Sequence, residues 1–129
     1  MTLLETLVVV AIVALITALG YPAVHPAGSA AQLRSQSRAL VADLRRARSA
    51  ALHLDRPVTL TADADGGGWR WDGGAERTDA ALRLSADRAI IFYPDGSANG
   101  GGFDLRTRTR AAHLDVDRAT GAVAFAAPR

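Results

Sequence analysis

Few residues of this chain have the types and spacing that chemistry would need. Its three histidines, His25, His53 and His113, show no metal-ligand spacing, and with no cysteine in 129 residues no zinc set assembles around them. Asp63-Ala64-Asp65-Gly66 looks like the opening of a calcium loop, but the third acid and the closing bidentate Glu are missing, so a hairpin tip explains it better. Ser85, Ser97 and His113 form no nucleophile motif, and Gly100-Gly101-Gly102 is followed by neither Lys-Ser/Thr nor a helix start, as a phosphate loop requires. No catalytic residue, cofactor site or metal site is assigned, and the chain is not read as an enzyme. The chemically loaded position is Glu5, a lone carboxylate ahead of an unbroken apolar stretch from Leu7 to Ile16. An ionised side chain inside a hydrocarbon-length helix costs about 2.5–3.5 kcal/mol on insertion scales, so it needs a partner. The terminal amine of another copy would be one.

The element that must position Glu5 is a helix over Leu3–Leu19, about 26 Å long and slightly short of the roughly 30 Å hydrocarbon core. A secretory signal cleaved near Ala18-Leu19-Gly20 is the competing reading, but no positive charge precedes the apolar run, which favours a retained anchor. Gly20, Pro22 and Pro26 predict a kink or short unwound segment over Tyr21–Gly28. A second helix is expected from an N-cap at Ser29 to about Leu54, with Leu33, Leu40, Leu44, Ala47 and Ala51 on the docking face. Arg34, Arg38, Arg45 and Arg48 fall on a neighbouring stripe, either a solvated flank or a surface for acidic groups of adjacent subunits.

After Asp55-Arg56-Pro57 the pattern changes to short alternating strands divided by glycine clusters. Val58–Thr61 and Trp69–Trp71 read as a hairpin. Further strands are expected at Leu82–Leu84, Ala89–Tyr93, Phe103–Thr107, His113–Val116 and Val123–Phe125. The fold class is α+β: a long N-terminal helix, anchor plus amphipathic second half, packed on an antiparallel β-sheet or sandwich head. The organisation is 1–22 anchor and filament core, 23–54 amphipathic stalk, 55–129 β-rich head. Without the anchor about 105 residues remain, enough for a modest core. All 15 basic residues are Arg, and a formal net charge of +2 is too small to imply nucleic acid by itself.

Thr2-Leu3-Leu4-Glu5 running into Leu7-Val8-Val9-Val10-Ala11-Ile12 resembles the N-terminus of type IV pilins and of the pseudopilins of type II secretion. In that family a prepilin peptidase cuts after a glycine, the new terminal Phe is N-methylated, and a glutamate stands fifth. Met1 occupies the place of that Phe, either as the mature first residue or as the start of a chain cut from a longer precursor. Ile90–Leu105, with Pro94-Asp95-Gly96 at its turn, and Leu114–Val123, with Thr120-Gly121 at its turn, are similar to the H-type minor pseudopilins and the related FimT minor pilins.

The resemblance implies a bacterial inner-membrane protein with a single span and a periplasmic head, incorporated into a periplasmic pseudopilus at its tip and supporting export of folded proteins across the outer membrane. The oxidising periplasm makes the lack of cysteine notable, since the head must hold by packing and hydrogen bonding. Implied partners are other minor and major pseudopilins, the inner-membrane assembly platform, the prepilin peptidase, and the secreted substrate or outer-membrane secretin. Glu5 would neutralise a neighbour's terminal amine, Leu3, Leu4, Leu7, Val8, Val10, Ala11 and Val13 would pack the filament core, and Arg34, Arg38 and Arg45 would face neighbouring subunits. The alternative is a FimT-like minor pilin that binds DNA for uptake. Arg106-Thr107-Arg108-Thr109-Arg110, read as an extended strand, would put Arg106, Arg108 and Arg110 on one face towards phosphates. A charged edge strand that resists aggregation explains the same residues, and the chain lacks the basic C-terminal motif of DNA-binding FimT proteins.

Overall fold

The computed structural model describes residues 2–74, 76–78 and 82–126, with side chains described for all of these except 17–27 and 77–78. One helix, α1 (Leu3–Leu54), spans 52 residues, about 78 Å at the α-helical rise. The expected unwound segment at Tyr21–Gly28 is not there, because α1 continues as a single element through Pro22 and Pro26. Each proline withholds one N–H donor, and the ladder on either side carries the helix across the gap. Ser29 therefore caps nothing. A cap forms only where the chain enters the helix from extended backbone, and that residue is Thr2, at φ −89° and ψ 153°.

The sheets follow from turn chemistry and alternation. Strands β1 (Val58–Ala62), β2 (Gly68–Trp71), β3 (Arg77–Thr78) and β5 (Ile90–Phe92) form one antiparallel sheet in the order β3-β2-β1-β5. Strands β4 (Arg83–Ala86), β6 (Gly101–Arg106), β7 (Ala111–Val116) and β8 (Val123–Ala126) form the other, in the order β4-β6-β7-β8. The expected first hairpin closes with Leu60 opposite Trp71 and Ala62 opposite Trp69. The two-residue β3 was not expected; it carries too little pattern to read.

α1 lies across β1 and β5 of the first sheet and β6, β7 and β8 of the second. Leu33, Leu40, Leu44, Ala47 and Ala51 are all buried, as their period predicts. They meet Val58, Leu60, Ile90 and Phe92 from one sheet and Leu84, Phe103, Leu105, Leu114 and Val116 from the other in a single core. Pro94-Asp95-Gly96 and Asp117–Gly121 turn as their residue types predict: Gly96 sits at φ +85° and Gly121 at φ +63°, conformations that favour glycine.

One strand expectation fails in a way that matters for function. Arg106–Arg110 is not an extended strand: β6 ends at Arg106, β7 begins at Ala111, and these two are partners in register. Residues 107–110 form the turn between them, closed by the Thr107 N–H donating to the Arg110 carbonyl at 2.8 Å. The sheet has to reverse there, so the one-sided row of three arginines does not exist as drawn from the alternation.

Candidate assembly surfaces

The described side chains at the start of α1 are not packed into the core. From Leu3 to Ile16 the side chains are exposed, including Leu3 at 83%, Leu7 at 65% and Val13 at 57%. Leu4, Val8, Val10 and Ala11 are exposed in the same run. Among the described residues, the first buried side chain of α1 is Leu33. Among the described residues no helix is long and apolar enough to cross a membrane. The expected anchor, 1–22, runs on into residues 17–22, whose side chains lie outside the described residues, as does Met1.

Glu5 occupies the third position of α1 and is exposed. The Thr2 hydroxyl accepts from the Glu5 N–H at 3.4 Å, and the Thr2 carbonyl takes the same N–H at 3.0 Å. Thr2-Leu3-Leu4-Glu5 thus has the spacing of a capping box, a signal legible in the sequence that the expectations above missed. A carboxylate in the first turn is also favoured by the helix dipole. No bond runs back from the Thr2 N–H to the Glu5 carboxylate, so the local role of that side chain in starting α1 is through the dipole, beside any role between subunits.

The arginine stripe divides in two. Arg34, Arg38 and Arg45 are exposed. Arg48 is half-buried and points inward, its Nε donating to the Gly96 carbonyl at 3.0 Å. It ties α1 to the turn after β5, and the β7–β8 turn packs on it, since a Cβ at Gly121 would lie 2.5 Å from the Gly96 carbonyl oxygen and 3.0 Å from Arg48 Nε. A second tie was not foreseen: buried Asp43 accepts from the Trp69 indole N–H at 3.0 Å and pairs with Arg46 at 3.1 Å.

The chemically suggestive residues are spent on structure. Asp65 accepts from the Gly67 N–H at 2.9 Å and Asp63 from Arg70 at 3.3 Å, so these acids shape and tether the β1–β2 turn. Ser85, Asp104 and His113 do line up across β4, β6 and β7, with His113 Nδ1 2.8 Å from the Asp104 carboxylate. The carboxylate stands between hydroxyl and imidazole, an order in which the imidazole has no access to the serine proton. Asp95 is held below the usual carboxylate range by the Ser97 hydroxyl and backbone N–H, and Asp117 likewise by Thr120. His25 is among the side chains outside the described residues. An open cleft of about 670 Å³ between the β1–β2 turn and β4 is lined by Asp63, Asp65, Arg83, Arg88 and Arg106.

A helix that is apolar and exposed for its first turns, then docked on an antiparallel head, is the architecture of type IV pilin-like proteins. The family model described as "Type II transport protein GspH" matches residues 36–120. The chain belongs to this GspH family, and it is a minor pseudopilin of the type II secretion class. It is 30% identical to the type II secretion system protein H of Xanthomonas campestris pv. campestris, over 95% of this chain and 79% of that protein. The fold is similar to that of the minor pseudopilin EpsH from the type 2 secretion system of Vibrio cholerae, at TM-score 0.61 and 10% identity, covering 74% of this chain and 96% of that one. It is also similar to that of the type IV minor pilin FimU of Pseudomonas aeruginosa, at TM-score 0.59 and 17% identity, covering 73% and 92%. Residues 36–120 hold the docked half of α1 and nearly all the head, so the match rests on the region that builds the core.

Proposed function

We propose that this chain is anchored in the inner membrane by the first part of α1 and is drawn from there into a pseudopilus, at its tip, to support export of folded proteins across the outer membrane. The observation that carries this reading is the division of α1 into an exposed apolar length, Leu3–Ile16, and a length docked on the head from Leu33 onwards. In a bilayer the first length faces lipid; in a filament Leu3, Leu4, Leu7, Val8, Val10, Ala11 and Val13 face neighbouring helices. Glu5 would meet the terminal amine of an adjoining subunit, a methylated Met1 in the family's chemistry, so that misregister leaves a buried charge unpaired. Arg34, Arg38 and Arg45 would face acidic groups of the other major and minor pseudopilins. The head would be offered to those partners, to secreted substrate or to the outer-membrane secretin. The DNA-uptake reading keeps exposed arginines at the β6–β7 turn but loses the one-faced strand on which it was built.

The test isolates the charge of Glu5. Gln keeps the length and polarity of the side chain at the third helical position but not its charge, whereas Ala keeps neither. If the charge is what the filament uses, Glu5→Gln and Glu5→Ala both insert in the membrane and both fail to incorporate into filaments. Incorporation of Glu5→Gln at the normal level would show that the charge is dispensable and would remove the charge-pairing proposal.

A further inference from the structure

The β6–β7 turn projects towards the anchor end of the head. The hydroxyls of Ser29 and Thr109 meet at 2.9 Å, which fixes the turn beside α1 at Ser29. On either side of Thr109 stand Arg108 and Arg110, with Arg106 at the end of β6, and all three are exposed. Arg83 adds a fourth guanidinium, being the direct cross-strand partner of Arg106. Like charges placed opposite each other in a sheet are destabilising unless something neutralises them. No described residue forms an ion pair with any of the four. Of the nearby acids, Asp63 is engaged by Arg70 and Asp104, on the same face of β6 as Arg106, by His113, while Asp65 shares a cleft with Arg83 and Arg106 but forms no ion pair with either. The helix beside the turn offers no carboxylate either, since none occurs between Glu5 and Asp43.

The height of the turn follows from the helix. If the hydrophobic segment ends at residue 22, the seven residues from Pro22 to Ser29 lift the turn about 10 Å above the hydrocarbon boundary. The headgroup layer occupies roughly 5–8 Å of that distance, and the remainder lies within the Debye length of about 8 Å at physiological salt. We infer that Arg106, Arg108 and Arg110, with Arg83 behind them, form a basic collar that binds the phosphates of anionic phospholipid headgroups while the subunit waits in the membrane. The inference rests on the anchor reading above. Docking on the headgroups holds the head in one orientation, and withdrawal into a filament, 10 Å or more from the surface, breaks it.

Charged side chains near an anionic surface each favour the docked state by about 5-fold, so three arginines together give on the order of 100-fold. The chain has no cysteine, so a label at Ala111→Cys, beside the turn and exposed, reports without background. Full-length protein reconstituted in phosphatidylcholine vesicles, with or without phosphatidylglycerol, is read by energy transfer from this label to a headgroup-labelled lipid. Transfer should rise with phosphatidylglycerol, and that rise should shrink when salt goes from about 0.1 M to about 1 M, vanish in the Arg106→Gln/Arg108→Gln/Arg110→Gln variant and survive in the corresponding Lys variant. A label at Ala119→Cys, on the β7–β8 turn, should show no such dependence. Transfer indifferent to phosphatidylglycerol, or a phosphatidylglycerol-dependent rise retained in the Gln variant, overturns the collar. So does labelled duplex DNA binding at these arginines in vesicles where phosphatidylglycerol has no effect. Flotation with neutral vesicles checks the anchor separately: a chain that does not float refutes the anchor, and one that floats without lipid-dependent transfer refutes the collar alone.

Discussion

Replacing Asp43 should loosen the head from the helix that carries it. The Asp43 carboxylate is 3% exposed and accepts from the Trp69 indole, itself 1% exposed, at 3.0 Å. Asp43→Ala leaves that N–H buried without its acceptor, a loss of about 1–3 kcal/mol. The Arg46 pair subtracts little from this balance. Its guanidinium is 63% exposed, and such pairs contribute about 0–1 kcal/mol. At about 4–8 °C per kcal/mol for a domain of this size, the melting temperature should fall by on the order of 5–20 °C. Asp43→Asn keeps a carbonyl acceptor and should lose less than half as much. The Asp43→Leu/Trp69→Phe double variant removes donor and acceptor together and should recover part of the loss, because two apolar groups of similar shape leave nothing unsatisfied. Thermal unfolding of the full chain in detergent, followed by near-ultraviolet circular dichroism, measures all three. An Asp43→Ala protein melting within about 2 °C of the parent would refute the reasoning, since about 1 kcal/mol is its lower bound.

Gly121→Ala should destabilise the head by about 2 kcal/mol or more, because its φ of +63° disfavours a Cβ and that Cβ would displace the Arg48–Gly96 contact. Denaturant unfolding measures this, and a loss below about 0.5 kcal/mol would mean the turn is not wedged on Arg48. Acid should weaken the head through two turns. Asp95 and Asp117 have folded-state pKa values below the ordinary 3.8, so the stability they contribute is present above 3.8 and is lost as pH falls through their lowered values. The Asp95→Asn/Asp117→Asn variant should therefore show a flatter melting temperature below pH 3.8; an unchanged acid slope contradicts the assignment.

Local and periodic signals carried most of the fold. The face Leu33, Leu40, Leu44, Ala47, Ala51 repeats with the helix because only one face meets the head. Pro94-Asp95-Gly96 and Thr120-Gly121 announce turns because Asp bonds back and Gly accepts positive φ. What failed depended on distant pairing. Arg106–Arg110 alternates like a strand and contains no Gly, Pro, Asn or Asp, yet the register of β6 on β7 requires a reversal there. Asp43 carries no local sign of its role, because its indole partner is 26 residues away. Arg48 differs from Arg34, Arg38 and Arg45 only in what folds over it. The halves of α1 were separated at Pro22 and Pro26 because local rules for proline omit the support of a long flanking ladder. The capping-box spacing at Thr2 and Glu5 was the opposite case, a purely local signal overshadowed by the larger question of a charge in an apolar run.

That charge bears on what could decide between membrane and filament. Burying Leu3, Leu4, Leu7, Val8, Val10 and Val13 is worth on the order of 10–18 kcal/mol against water. Lipid tails are as apolar as leucine, however, so most of that term is the same whether the helix faces lipid or other helices. A preference for the filament must come from something that differs between the two surroundings. An ionised Glu5 without a partner costs about 2.5–3.5 kcal/mol near the middle of a bilayer and less near its edge. Pairing with an adjoining amine would recover part of that, up to on the order of 100-fold in the filament's favour. The apolar residues would then make the helix compatible with both environments, and the single acid would choose between them.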